Sequence, residues 1–175
     1  MGLVDAFIVF WLKNLRYPWS RLRQRLFEGR YLKKELPAAE SLPDIQDCLK
    51  KITWTKDGFF HLYDAISYPQ TVWSKKKDDC DGFAVLAAEL LQRLSPTFKP
   101  VLVTAAVRPV GKSHTVCVFK DGQKLAFFDN SRLRKGNYKS YSDIVEKFTS
   151  GSSVKLLGWD AVKPKSYEKL EFHRV

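Results

Sequence analysis

The sequence contains few cysteines, and their positions exclude two classes of small stabilised domain. The 175 residues include three cysteines, Cys48, Cys80 and Cys117, and no C-x-x-C spacing. An odd number of widely separated cysteines does not predict a disulfide framework. The three histidines are too scattered to complete a zinc finger. At least one thiol is therefore expected to be free, which fits a reducing, cytoplasmic compartment.

Long apolar runs are also absent. The first residues, MGLVDAFIVFWL, are mostly apolar but include Asp5, and a helix that spans a bilayer needs about 20 apolar residues. No basic region precedes this run and no clear cleavage site follows it. The sequence therefore predicts neither a transmembrane helix nor a signal peptide. Ala6 stands where a myristoylation motif has Ser or Thr.

Acidic residues are outnumbered, with 19 Asp and Glu against 30 Lys and Arg and a net charge of +11. Eight basic residues and one acid lie within residues 13–34, where Leu22 and Leu26 are one helical turn apart. This segment is either a solvated helix face or an arm that docks on a membrane surface or an acidic partner. Nucleic acid is not expected as the main ligand, because no RNA- or DNA-binding motif accompanies the charge.

The composition fits one globular domain with a buried core, since 45% of the residues are apolar and 14% are aromatic. We divide the chain into a basic, amphipathic N-terminal helical segment, residues 1–36, and a main domain, residues 37–175. The first part should contain a helix or buried arm over residues 3–12. A second helix should follow, with Pro18 in its first turn and its end at Gly29.

Two helices are predicted in the first half of the main domain. Residues 44–52 form an amphipathic helix with Asp44 as a candidate N-cap, and Cys48 packs there as a small hydrophobe. Residues 78–94 form the clearest helix, capped by Asp78 or Asp79. Its apolar stripe consists of Phe83, Leu86, Ala87, Leu90, Leu91 and Leu94. Cys80 precedes Phe83 by three residues and heads this stripe.

The second half of the chain predicts an antiparallel sheet. Strand-like runs cover residues 101–107, 114–120 and 123–129, and Asp121-Gly122 between the last two predicts a two-residue type I′ turn. A basic loop (131–141), a short helix (141–148), a further strand (156–162) and a charged tail should follow. Together these elements predict the α+β class.

The predicted turn places a histidine opposite a carboxylate. It pairs residue 120 with 123, so His114 lies opposite Asp129 with Cβ atoms about 5 Å apart on one face. Cys117 and Asn130 should point to the other face. An aspartate in this position would orient the imidazole and stabilise its protonated form.

If the helix that begins near Cys80 packs on the His114 face, the thiol meets the imidazole and can attack an acyl carbon. The helix N-terminus and a protonated His114 should lower the pKa of the thiol. The neighbouring aspartates oppose this, but we expect them to point into water. The Cys80 backbone N–H is the natural oxyanion donor, and Trp73 is the candidate for a second one.

These residues carry a resemblance to a known family. YPQTVWSKKKDDCDGFA, HTVCV and FFDNS resemble the transglutaminase-like cysteine peptidases of bacteria and phages, over about residues 66–131. The resemblance implies a papain-like core in which a nucleophile helix packs on an antiparallel sheet, here with extra N-terminal helices. It also implies a catalytic triad of Cys80, His114 and Asp129, with residues 37–175 as the catalytic domain.

The implied activity is hydrolysis of a peptide, isopeptide or amide bond, or acyl transfer to an amine, on a protein or peptide substrate. Two alternatives stay open: a cell-wall amidase, and a catalytically silent module that binds an acidic protein, a membrane or nucleic acid. No cofactor is expected. Some family members bind calcium through acids near the cysteine, which makes Asp78, Asp79 and Asp81 candidate ligands. Gly82 departs from the often acidic residue of the family at that position.

Overall fold

A six-stranded antiparallel sheet with helices on both faces forms the body of the protein. The computed structural model describes residues 2–56, 65–150 and 153–175. The sheet has the order β6-β5-β4-β3-β7-β8. Its strands are β3 (Val101–Arg108), β4 (His114–Asp121), β5 (Lys124–Asp129), β6 (Arg132–Tyr138), β7 (Lys155–Val162) and β8 (Lys169–Arg174). A separate parallel pair joins β1 (Thr53–Trp54) to β2 (Lys77–Asp78).

The helices divide between an N-terminal arm and the two faces of the sheet. They are α1 (Leu3–Phe10), α2 (Arg16–Arg23), α3 (Leu42–Lys50), α4 (Pro69–Lys75), α5 (Cys80–Leu94) and α6 (Tyr141–Thr149). Apolar residues of α5 pack on the face that carries Cys117 and Phe119, whereas α6 covers the face that carries Val116 and Val118. The predicted α+β class, with the Cys80 helix packed on an antiparallel sheet, is confirmed.

Helix starts follow the local side-chain chemistry. Asp79 caps α5 by accepting a hydrogen bond from the Asp81 backbone N–H, as predicted. The cap of α3 is Ser41, whose hydroxyl accepts from the Asp44 N–H, so the prediction that Asp44 caps this helix is wrong. Cys48 is buried in the core, as predicted.

The β4–β5 hairpin forms, but with a different turn. Asp121 pairs with Lys124 and Cys117 pairs with Phe128, so the loop is Gly122-Gln123 and the predicted register is wrong by two residues. Only Gly122 of the two loop residues has a positive φ, +66°, which matches type II′ and not type I′. A shift of two keeps the alternation of side chains. His114 and Asp129 therefore stay on one face, as diagonal neighbours.

The two edge strands were not predicted. Strand β6 lies within the predicted basic loop and β8 lies in the predicted charged tail. Both strands are largely exposed and rich in Lys and Arg, which is typical of sheet edges. Such strands lack the apolar alternation on which a sequence-based prediction depends. Residues 57 and 58 of the predicted turn, and His61, lie outside the part of the chain that the structure describes.

The N-terminal arm, residues 3–31, is one continuous helical path. Two π-helical segments, Trp11–Leu15 and Gln24–Glu28, separate α1, α2 and a final 3-10 turn at Gly29–Tyr31. Pro18 lies in the first turn of α2, as predicted. No helix among the described residues is both long enough and apolar enough to cross a membrane.

The arm is joined to the sheet through a buried carboxyl group. The Tyr17 hydroxyl donates to Asp160 on β7 at 2.8 Å from each carboxylate oxygen. Burial raises the pKa of Asp160 to about 6. The unfolded value is about 3.9. The folded protein therefore holds this proton more tightly, and the stability that the protonated form contributes is lost as the pH rises through the folded pKa.

Asp160→Asn removes this ionisation and keeps a neutral hydrogen-bonding side chain. We expect the free energy of unfolding of the variant, relative to wild type, to rise by about 1 kcal/mol between roughly pH 5 and pH 7.5. Urea denaturation at both pH values measures the difference, with the exposed Asp47→Asn as control. A difference that does not change with pH would show that the folded protein gains nothing from protonating this carboxyl group.

Candidate active site

Cys80 is the first residue of α5 and is half-buried. The chain reaches this point from β2, and the Asp79 cap starts the helix directly before the thiol. The backbone N–H of Thr115 on β4 donates a hydrogen bond to the Cys80 sulfur. The nucleophile predicted from the sequence is thus held between a helix N-terminus and the start of a central strand.

His114 and Asp129 form a direct hydrogen bond, with 2.9 Å between His114 Nε2 and Asp129 Oδ1. His114 opens β4 and Asp129 ends β5. This hydrogen bond is the main cause that lowers the pKa of Asp129. Arg134 Nη2 lies 3.5 Å from the second carboxylate oxygen. The Phe148 ring meets the imidazole edge to face, at 5.6 Å between ring centroids.

A pocket of about 320 Å³ contains both Cys80 and His114 in its wall. Trp54, Asn130 and Phe148 also line it, and Asp129 lines the neighbouring pocket. Two larger pockets, of about 480 and 570 Å³, contain none of the three predicted catalytic residues. The polar side chains of Cys80, His114 and Asn130 converge at the pocket of about 320 Å³, which is why we place the candidate site there.

The two halves of the site meet across the end of the sheet. The sequence predicts that Cys80 reaches His114 if α5 packs on the His114 face, but α5 packs on the opposite face, with Cys117 and Phe119. His114 is the first residue of its strand, so the start of α5 approaches it around the strand end. Both faces of β4 are apolar, and the sequence therefore contained no information on which face the helix would cover.

Asn130 is a pocket residue that the sequence analysis excluded. Strand alternation predicts that its side chain points away from Asp129. Its φ of +50° ends the strand geometry, and Asn130 lines the pocket with Cys80 and His114. Its side-chain oxygen is buried and has no hydrogen-bond partner among the described residues. Asparagine tolerates the left-handed region better than most residues. Its identity is therefore the one feature of the sequence that could have indicated a change of backbone direction at residue 130.

The predicted oxyanion donor Trp73 is not among the residues that line the pocket. It lies on α4 and packs beside the core that surrounds α5. Trp54, on β1, is the tryptophan that lines the pocket.

The expected depression of the Cys80 pKa is wrong for this structure. Burial raises the pKa of the thiol well above its ordinary value, and the charges of Asp81 and Asp79 raise it further. The aspartates do not point into water as expected, because Asp78, Asp79 and Asp81 are all buried. The described residues show no hydrogen bond between Cys80 and the His114 imidazole. Burial and the neighbouring carboxylates therefore favour the neutral thiol over the thiolate.

A buried arginine from the N-terminal arm compensates part of this negative charge. Arg16 is 1% exposed, and its Nη2 lies 2.5 Å from Asp81 Oδ2. Its Nη1 donates to Thr104 at 2.7 Å, and Nη2 lies 3.3 Å from the Thr115 hydroxyl. The Arg16 charge also lowers the pKa of Cys80. The basic segment 13–34 predicted from the sequence includes Arg16, but nothing in the sequence distinguishes Arg16 from its basic neighbours as the buried one.

The acids around Cys80 do not fit a calcium ion. Ligand atoms of Asp79, Cys80 and Asp81 lie within 4.8 Å of one another, but calcium takes six to eight oxygen ligands. Asp79 already accepts from the Asp81 N–H, and the Arg16 guanidinium occupies one oxygen of Asp81. Asp81 Oδ1 is the one oxygen of that carboxylate left without a hydrogen-bond partner among the described residues.

The residues on either side of this cluster, Asp78 and Gly82, also make contacts that do not leave room for a calcium ligand. Asp78 accepts from the Asp79 backbone N–H and packs so closely on Gly82 that a Cβ there would collide with it. Glycine at this position therefore makes room for the Asp78 carboxylate. An acidic residue there would displace Asp78.

Comparison with known proteins gives a weak likeness to solved structures. No protein-family model and no curated protein sequence matches the chain. A solved structure of Legionella pneumophila LapG is similar, with a TM-score of 0.47 and 16% identity over 72% of this chain and 66% of that chain. A structure of Legionella pneumophila LapG treated with EGTA has a TM-score of 0.46 and 13% identity, over 81% of this chain and 74% of that chain. At these values the likeness assigns neither a family nor an activity.

Removing Arg16 tests its place beside the site. Arg16→Met should lower the free energy of unfolding by about 3–5 kcal/mol, because it leaves the Asp81 carboxylate buried without its cationic partner. Arg93→Met is the control: Arg93 is half-exposed and Glu89 keeps Lys165 as a partner, so we expect a loss of about 0–1 kcal/mol. Urea denaturation measures both.

A second variant separates charge from packing. Arg16→Met combined with Asp81→Asn should regain part of the stability, because the two changes together remove both charges of the pair and leave neither one buried without its partner. Equal, small losses for Arg16→Met and Arg93→Met would contradict the role assigned to Arg16.

Proposed function

We propose that the protein is a cysteine hydrolase or acyltransferase of the transglutaminase-like protease type, which acts on a peptide, isopeptide or amide bond. The observation that supports this most directly is the 2.9 Å hydrogen bond between His114 Nε2 and Asp129 Oδ1, since His114 shares a pocket with Cys80. A thiol, an imidazole and an orienting carboxylate are the three groups of nucleophilic acyl transfer.

In this proposal the two nitrogens of His114 have different roles, which the hydrogen bond to Asp129 supports. Nε2 faces the carboxylate, which leaves Nδ1 to accept a proton from the Cys80 thiol. Because the Cys80 pKa is raised, we propose that His114 acts as a general base. The S–H proton moves to Nδ1 as the sulfur attacks the carbonyl carbon. In this mechanism the proton moves during the attack, whereas in a resting thiolate–imidazolium pair it has moved before the substrate binds.

The rest of the reaction returns that proton. The tetrahedral intermediate collapses when His114 protonates the leaving nitrogen, which gives a free amine and a thioester on Cys80. Water or a second amine then attacks the thioester, its proton goes to His114, and the imidazole returns it to the departing sulfur. Asp129 stabilises the imidazolium in both halves.

The developing oxyanion needs donors near Cys80. As the first residue of α5, Cys80 has a backbone N–H with no partner inside the helix, and the positive end of the helix dipole lies there. We propose this N–H as the first donor. The second donor remains unassigned, because Trp73 does not line the pocket.

We propose that catalysis belongs to residues 37–175, with residues 1–36 as an added helical segment. Arg16 is the exception, since it reaches across this division to the acid that follows the nucleophile. The substrate is a protein or peptide in this proposal. A cell-wall amidase and a silent binding module remain as outcomes of the tests below.

Substitutions at the triad test the reaction. Incubation with peptide mixtures, peptidoglycan fragments and a diamine acceptor, followed by mass spectrometry, distinguishes new peptide ends, released cell-wall fragments and amine incorporation. Cys80→Ser should abolish each of these products. Asp129→Asn should lower kcat by about 10²–10⁴-fold, because the imidazole loses the group that fixes its tautomer.

Asp121→Asn is the matched control on the same hairpin, where Asp121 pairs with Lys135 away from the pocket. Its activity should equal that of wild type. Activity that survives in Cys80→Ser would refute the thiol mechanism. Inactivity of folded wild type on all three substrate classes would favour the binding module.

A further inference from the structure

The N-terminal arm exposes apolar side chains to solvent to an extent found nowhere else in the described chain. Thirteen large hydrophobic residues are exposed, and ten of them lie between Leu3 and Leu32. Trp19 is 48% exposed, Leu26 65% and Phe27 66%. An extended exposed apolar surface of this kind marks a site of association.

These side chains form one stripe along the arm. The stripe consists of Leu3, Phe7, Phe10, Leu15, Trp19, Leu22 and Leu26. Its spacing is three or four residues, as on one helix face, except between Phe10 and Leu15. The π-helical segment Trp11–Leu15 lies at this step, and its longer i→i+5 turn absorbs the extra residue. The stripe therefore stays continuous.

From Arg16 onward, the opposite side of the arm is polar and bonded to the body of the protein. Arg16, Ser20, Gln24 and Glu28 recur every four residues and are at most 4% exposed. Ser20 accepts from the Ile66 backbone N–H. Gln24 donates to the Ile66 carbonyl, and Glu28 accepts from the Thr71 hydroxyl. Rotating the arm to bury its apolar stripe would break these bonds and the Arg16–Asp81 ion pair. The stripe is therefore held on the outside.

The charge of the arm identifies the kind of surface that would cover the stripe. Exposed basic side chains accompany the stripe from residue 13 onward and continue just past the end of the arm: Lys13, Arg21, Arg25, Arg30, Lys33 and Lys34. An apolar stripe between basic residues is the pattern of a helix that lies in the plane of a membrane interface. A second copy of the chain would instead bring two such basic segments together, which like-charge repulsion disfavours.

We propose that the N-terminal arm binds the surface of an anionic lipid membrane, with the stripe inserted at the boundary of headgroups and acyl chains. The basic residues would contact lipid phosphates and anionic headgroups. The inner face of the arm would keep its bonds to the body of the protein. This proposal does not depend on the proposed catalytic function.

Vesicle co-sedimentation of the full chain tests it. Vesicles of phosphatidylcholine with about 30 mol % phosphatidylserine should pellet the wild type, whereas pure phosphatidylcholine should not. Binding should weaken when NaCl rises from about 0.1 M to about 0.5 M. The double variant Trp19→Glu/Leu26→Glu should lose affinity by on the order of 10-fold or more.

The matched control is Leu170→Glu/Val175→Glu, which places the same charges at exposed apolar positions outside the arm. It should bind like wild type. Trp19 is also a spectroscopic probe: vesicles with phosphatidylserine should shift tryptophan emission to the blue in wild type and less so in Trp19→Phe.

Three results would overturn the proposal: no binding to phosphatidylserine vesicles at low salt, equal losses in the arm variant and the control, or binding to phosphatidylcholine that salt does not change. Sedimentation velocity gives a fourth. A wild-type dimer that Trp19→Glu/Leu26→Glu dissociates and that vesicles do not would identify a second copy as the occupant of the stripe.

Discussion

The buried ion pair between Arg16 and Asp81 is the constraint on which the site and the arm both depend. It joins the first helices of the chain to the residue directly after Cys80, and it extends through Thr104 and Thr115 to the two central strands. Burying a charge without its partner would cost several kcal/mol. The start of α5, the arm and the sheet are therefore fixed relative to one another.

This pair also decides the electrostatics around Cys80. Two flanking aspartates raise the pKa of the thiol, and the Arg16 charge opposes them. These charges consequently favour a neutral thiol, in a pocket whose imidazole is hydrogen-bonded to Asp129. A proton acceptor acting during attack suits this arrangement better than a permanent thiolate, and the guanidinium takes the place at Asp81 that a bound cation would otherwise need.

The same ion pair helps to fix which face of the arm points toward the body of the protein. Its inner polar residues are bonded to the body of the protein, while its outer face carries the apolar stripe. Usual amphipathic helices of soluble proteins bury the apolar side. The inversion explains why sequence analysis, which recorded basic residues and leucines at helical spacing, left open whether this segment was solvated or docked.

The sequence was informative where local chemistry determines the outcome. The Asp79 cap and the apolar residues of α5 itself locate the start of that helix. Strand alternation alone places His114 and Asp129 on one face. Alternation survives a two-residue error in register, which is why this prediction held although the turn was wrong. The face covered by α5, the side chain of Asn130 and the burial of Arg16 depend on long-range packing and a left-handed backbone, for which the sequence offers no periodic pattern.

The central claim is that His114 activates Cys80, and the rate of cysteine alkylation tests it most directly. Iodoacetamide labelling near pH 7, resolved by peptide mass spectrometry, compares Cys80 with the buried Cys48 and Cys117 in one molecule. We expect Cys80 to react fastest, and His114→Ala to slow it by at least about 10-fold, the lower range of general-base effects being roughly 10². A Cys80 rate that is the same in wild type and His114→Ala would contradict the account.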